Sequence, residues 1–112
     1  MRDRIRLRRR GRTVEVAGFS PRETLLDHLR LRERALGTKE GCAEGDCGAC
    51  TVVLGRLRDG LLVYEPVDAC IFLLGQADGA EVVTVEDLAG ERLHPVQAAM
   101  VAHHGSQCGF CT

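Results

Sequence analysis

The chain has 112 residues, of which 45% are hydrophobic and 28% charged, and its formal net charge is −1. That is room for one small domain plus the start of another, with so little buried surface that a bound metal would matter to stability. Trp is absent and aromatics make up 4%, which argues against stacking platforms for single-stranded nucleic acid, and no stretch reaches the ~18 apolar residues of a membrane helix.

The amino terminus is crowded with Arg2, Arg4, Arg6, Arg8, Arg9, Arg10 and Arg12. Such a cluster can serve a nucleic-acid or membrane surface. Ile5 and Leu7 alternate with the arginines, however, and a strand with one buried face explains the pattern better. No apolar segment follows Arg9-Arg10, so it does not read as an export signal. A soluble, cytoplasmic protein is expected, without nucleic-acid or membrane partners and with reduced cysteines available to metals.

Residues 4–9 and 13–17 read as two strands joined by a turn at Gly11-Arg12. "SPRE" then predicts a helix start, with Ser20 as N-cap, Pro21 as first helical residue and Glu23 closing a capping box. Leu25, Leu26 and Leu29 give that helix an apolar stripe through about Leu31, and Gly37 ends it. Residues 51–57 and 61–65 predict a hairpin around Arg58-Asp59-Gly60, with Val52, Leu54, Leu62 and Tyr64 at pleated positions. "IFLLG", after Cys70, is expected to cross the core, and residues 81–85 to form a further strand. "LHPVQAAMVAHHG" predicts a helix with Pro95 near its start and Gly105 just past its end. The pattern is α+β, a mixed sheet curled over one helix, with a domain boundary near Gly90-Glu91.

The six cysteines carry the chemistry. Cys42, Cys47 and Cys50 follow C-x4-C-x2-C, with Cys70 further on, and Cys108-x2-Cys111 closes the chain. The first group has the plant-type spacing of a [2Fe–2S] cluster, which would sit near about −400 mV. Three thiolates from one loop must wrap around two irons, and a fourth from another segment closes the site. Gly41, Gly45 and Gly48 let the backbone approach the sulfurs and direct N–H groups at them. A structural zinc is an alternative, although zinc sites usually pair two short knuckles. C-x-x-C dithiols and buried structural cysteines are two more. Cys108 and Cys111 cannot hold a cluster alone, so truncation after Thr112 is expected. His94, His103 and His104 fit helix-terminal roles, and no nucleophile, general base or phosphate loop stands out.

"GTKEGCAEGDCGACTV", "DAC", "TVEDLAG", "LHPVQAAM" and "HHGSQCGFCT" together resemble the molybdenum hydroxylases, a family that includes xanthine dehydrogenases, aldehyde oxidoreductases and carbon monoxide dehydrogenases. Within it the motifs look most like the iron–sulfur small subunit of the xanthine dehydrogenase type. The resemblance runs from about Thr38 to Thr112. It implies a β-grasp ferredoxin-like domain over residues 1–90, with one [2Fe–2S] cluster on Cys42, Cys47, Cys50 and Cys70. It implies that residues 91–112 begin an all-α [2Fe–2S]-binding bundle, with Cys108 and Cys111 as two ligands of a second cluster. Gln107 matches the glutamine that contacts the pterin of the molybdenum cofactor. The implied partners are a molybdenum-cofactor-binding large subunit and an FAD-binding domain or subunit. The implied function is electron relay within an oxidoreductase acting on purines, with no catalytic residue in this chain. Another molybdenum hydroxylase, acting on aldehydes or carbon monoxide, and a free-standing ferredoxin-like carrier are the alternatives.

Overall fold

The computed structural model describes residues 4–106. Two hairpins and a short fifth strand form one mixed sheet. β1 (Arg4–Arg9) and β2 (Arg12–Ala17) make the first hairpin, and β3 (Thr51–Arg58) and β4 (Leu61–Asp68) the second. β5 (Glu81–Val83) lies between them, giving the order β2-β1-β5-β3-β4. Only the β1–β5 pairing is parallel; the others are antiparallel. The α+β expectation, a mixed sheet over one helix, is met.

Both hairpins turn in two residues. Arg10-Gly11 and Asp59-Gly60 have φ of 51° and 77° in each case, the paired left-handed conformation that suits the twist of a tight hairpin. The first turn is therefore one residue earlier than the expected Gly11-Arg12. Alternation along β1 buries Ile5 and Leu7 and exposes Arg4, Arg6 and Arg8. Arg9 continues the inward series and is itself buried. In the second hairpin Val52 and Leu54 point into the core, whereas Leu62 and Tyr64 lie on the exposed side of the sheet.

The helix begins later than its sequence signals suggest. Ser20 does organise a turn, its hydroxyl accepting from Arg22 N and its carbonyl from Glu23 N. Thr24 is the N-cap, accepting from Asp27 N at 3.1 Å, and α1 covers only Leu25–Asp27 before a π-helical turn over His28–Arg32. Tertiary pairing accounts for the delay: Leu25 N donates to Phe72 O, Leu26 N to Ala69 O, and Leu74 N to Glu23 O. Leu25, Leu26 and Leu29 pack against the sheet as expected, but Leu31 is 68% exposed. The helix closes by Glu33, ahead of Gly37.

"IFLLG" does not cross the core. The chain turns at Asp68–Ile71 and again through a 3₁₀ turn at Leu74–Ala77. Leu74 is fully buried, Phe72 packs at the edge of the core, and Ile71 and Leu73 are exposed. β5 is shorter than expected, and a second 3₁₀ turn over Val85–Leu88 follows it. α2 (Pro95–Ala102) has Pro95 in its first turn, and His94 caps it through Nδ1, which accepts from Val96 N at 3.1 Å. Gly105 N returns to Met100 O past its end. No residue of α2 is buried, and Gln97 ties it back through a 2.8 Å bond from Nε2 to Val85 O.

Candidate metal centre

The second hairpin brings two of the cysteines together. The ladder ends at Thr51 opposite Asp68, so Cys50 and Cys70 emerge side by side from its open end. Ala69 N donates to Cys50 O, and Leu26 N to Ala69 O, which fixes both flanks against α1. Cys50 is buried beside Cys70 at the end of the hairpin. Burial first, then the Cys50 contact, pushes the Cys70 thiol up to about 11 against the opposing pull of the Gly45 N–H.

Cys42 and Cys47 come from the irregular loop, closed at its base by Lys39 N donating to Ala49 O. Cys42 Sγ accepts from the backbone N–H groups of Cys47, Glu44 and Asp46 at 3.2–3.4 Å. These donors favour the thiolate and lower the Cys42 thiol to about 7. Cys47 Sγ accepts from Ala49 N at 3.4 Å and contacts the Cys42 side chain. The cysteines thus fall into two groups: Cys42 and Cys47 share the loop, where Cys47 N donates to Cys42 Sγ, and Cys50 and Cys70 flank the end of the β3–β4 ladder. Among the described residues, no three or more His, Cys, Asp or Glu side chains gather around a single-ion site.

The glycines are close-approach positions. A Cβ on Gly41 would lie 2.5 Å from Cys47 Sγ. Gly45 has φ of +79°, and a Cβ there would meet Ile71 Cδ1 at 2.7 Å. Gly48 turns with φ of +75°. Ala43 adopts φ of 57° without being glycine, a left-handed placement that costs about 1 kcal/mol. Nothing in its residue type signals this.

A family model for the 2Fe-2S iron-sulfur cluster binding domain matches residues 7–70, and a second, for a [2Fe-2S] binding domain, matches residues 84–112. The chain belongs to the 2Fe-2S iron–sulfur cluster binding family. It is 46% identical over 100 residues to xanthine dehydrogenase of Blastobotrys adeninivorans, covering 87% of this chain and 7% of that protein. It is 48% identical over 103 residues to the nicotine 6-hydroxylase small subunit of Paenarthrobacter nicotinovorans, covering 92% and 56%. The aldehyde oxidoreductase structure from Desulfovibrio desulfuricans superposes with a TM-score of 0.77 at 37% identity, covering 99% of this chain and 12% of that one. The family kinship read from the motifs therefore holds. The chain spans little more than half the length of the nicotine 6-hydroxylase subunit and a small fraction of the xanthine dehydrogenase. Similar identities go with xanthine, nicotine and aldehyde names, so the family member is not resolved by likeness.

Gln107, Cys108 and Cys111 lie outside the described residues. Of the residues that sequence reasoning passed over, Arg9 and Glu86 matter most. Arg9 sits in a strand alternation that could have flagged it as inward-facing. Glu86, whose carboxylate meets the entry to the cysteine loop, carries no such signal.

Proposed function

We propose that this chain is the electron-transfer iron–sulfur component of a molybdenum hydroxylase of the xanthine dehydrogenase type. The observation that carries the reading is the two-by-two grouping, Cys42 with Cys47 in the loop and Cys50 with Cys70 at the end of the β3–β4 ladder. Two irons with two thiolates each need that grouping, whereas a tetrahedral zinc needs four donors on one centre. The lining fits as well: the loop N–H groups on Cys42 and Cys47 offset thiolate charge, and Gly41 leaves the space that a side chain would fill.

Cys42, Cys47, Cys50 and Cys70 would hold the first [2Fe–2S] cluster, with Gly41, Gly45 and Gly48 forming its backbone lining. Such a cluster, when bound, takes up and passes on single electrons. This chain's own residues bind it, hydrogen-bond its ligands and screen the buried Cys50 side from water. Cys108 and Cys111 would contribute to a second cluster in a helical domain beginning near residue 91, and Gln107 would contact the molybdenum cofactor of a large subunit. The remaining partner is an FAD-binding domain or subunit. Purine hydroxylation at the partner's molybdenum would supply the electrons, in the cytoplasm. No helix among the described residues is long and apolar enough to cross a membrane.

The test is anaerobic reconstitution of the natural protein with iron and sulfide, followed by metal analysis and electron paramagnetic resonance. Two distinct [2Fe–2S] signals after reduction support the reading. A colourless, zinc-loaded product would overturn it, and one signal alone would favour a free-standing ferredoxin-like carrier. Turnover with purines against aldehydes in the assembled enzyme decides the substrate class.

A further inference from the structure

Two neighbouring carboxylates in the 3₁₀ turn Val85–Leu88 face different parts of the domain. Asp87 receives the guanidinium groups of Arg9 and Arg10. Glu86 turns toward the entry of the cysteine loop, where its Oε2 accepts the Gly37 N–H at 2.8 Å. The approach is close. A Cβ on Gly37 would lie 2.6 Å from Glu86 Cδ and 2.8 Å from Oε1, although the backbone there is not left-handed. Any larger residue at position 37 would therefore require the Glu86 carboxylate to move.

The path from this contact to the sulfurs is short and held on both sides. Arg30 Nη1 donates to Leu36 O at 2.9 Å and Thr38 O at 2.8 Å, bracketing Gly37. Thr38 is 1% exposed. Lys39 N then donates to Ala49 O, and Ala49 N donates to Cys47 Sγ. Between Gly41 and Gly48 the loop has no strand or helix of its own, so its register depends on how its ends are anchored. The other carboxylate oxygen of Glu86, Oε1, is buried as well, so the contact lies within the fold rather than on its surface.

We propose that Glu86 is a positioning residue for the cysteine loop, pinning Gly37 so that the Lys39–Ala49 rung and the Cys47 sulfur behind it keep their placement. The proposal rests on this loop being the site of the first cluster. It assigns to the segment matched by the second [2Fe-2S] model a structural hold on the centre in the first.

The experiment compares Glu86→Ala and Glu86→Gln in the full-length natural protein. It reads amide exchange at Gly37 together with the reduction potential and electron paramagnetic resonance line shape of the first centre. Glu86→Ala should speed Gly37 exchange about tenfold or more, as expected for loss of a charge-assisted hydrogen bond, and should shift both cluster signatures. Glu86→Gln keeps an acceptor oxygen and should stay near the unmutated values. Unchanged signatures in Glu86→Ala, or equal disturbance in Glu86→Gln, would overturn the proposal. If Glu86→Ala does not fold, Gly37→Ala approaches the contact from the other side. It should displace the carboxylate, speed amide exchange at position 37 and move the same signatures; unchanged exchange and signatures would overturn the proposal. Absence of any cluster signal in the unmutated protein overturns the cluster reading and this one with it, whereas a normal signal that ignores Glu86 overturns this one alone.

Discussion

Arg9 Nη1 and Asp87 Oδ2 lie 2.5 Å apart, and the arginine is only 4% exposed. Its Nε and Nη2 engage Glu33, and Nη1 also donates to Val82 O. One buried cation thus ties β1 to the π-helical turn, to β5 and to the 3₁₀ turn after it. Removing one partner of such a group leaves buried charge uncompensated.

Asp87→Asn is accordingly expected to cost about 2–3 kcal/mol, lower than a fully buried pair because Glu33 remains. Differential scanning calorimetry would register this as a fall of about 10 °C or more in melting temperature. A change within about 0.5 kcal/mol would mean that the network contributes little.

The same carboxylate predicts an acid limb. Burial opposes its ionisation, but the Thr84 N–H and the Arg9 and Arg10 guanidiniums outweigh that and hold Asp87 below the usual carboxylate range. A depressed folded pKa means that the stabilisation is complete above about pH 5 and is lost as pH falls through the folded value. Melting temperature against pH should therefore fall more steeply below about pH 4 for the unmutated chain than for Asp87→Asn.

His28 predicts a separate, milder limb. Burial, assisted by Arg32 and Arg9 and opposed by Glu33 and Glu23, lowers its pKa. The unfolded chain then binds the proton first, so stability is lost as pH drops below about 6.5 toward the folded value. His28→Gln should flatten the pH 7 to pH 5 segment of the melting curve; an unaltered slope would assign that segment to other groups.

Gly41 and Gly60 should part company. Gly41→Ala would drive a methyl group to within 2.5 Å of Cys47 Sγ, and iron and sulfide content should fall well below that of the unmutated protein. Gly60→Ala meets no atom within 4 Å but has φ of +77°, so it should cost about 1 kcal/mol and leave iron content intact. Equal iron loading in the two variants would argue against the lining role of Gly41.

Under the proposed function, cysteine substitutions should separate two centres. Cys70→Ser should abolish the paramagnetic signal of the first centre while sparing the second. Cys108→Ser should do the reverse. Loss of both signals in either variant would indicate that the centres do not assemble independently.

Much of this was legible in the residues. The spacing of Cys42, Cys47 and Cys50 sets them in one loop, and the hairpin pattern that follows brings Cys70 back to Cys50, so the grouping could be read without coordinates. The helix start could not, because Leu25 and Leu26 give their N–H groups to Phe72 and Ala69, partners more than forty positions away. "SPRE" carries a valid local signal that tertiary pairing overrides. Arg9 was hidden for a related reason: residue type says surface, whereas its position in the β1 alternation says core. The Glu86–Gly37 contact spans 49 positions and leaves no local pattern at all.

The second hairpin also bears on the order of events as the chain folds. Its tight left-handed turn and local register allow β3 and β4 to pair early, on the microsecond scale of isolated hairpins, while the parallel β1–β5 rung must wait for distant segments. Cys50 and Cys70 flank that ladder, so half of the sulfur set is assembled by the most local contacts in the domain. The loop carrying Cys42 and Cys47 gains its anchors at Arg30 and Glu86 only as the remaining elements dock. Pulse-labelled hydrogen exchange should find the β3–β4 amides protected before that of Gly37, making the cysteine loop the last part of the centre to take shape and the part most open to an incoming metal donor.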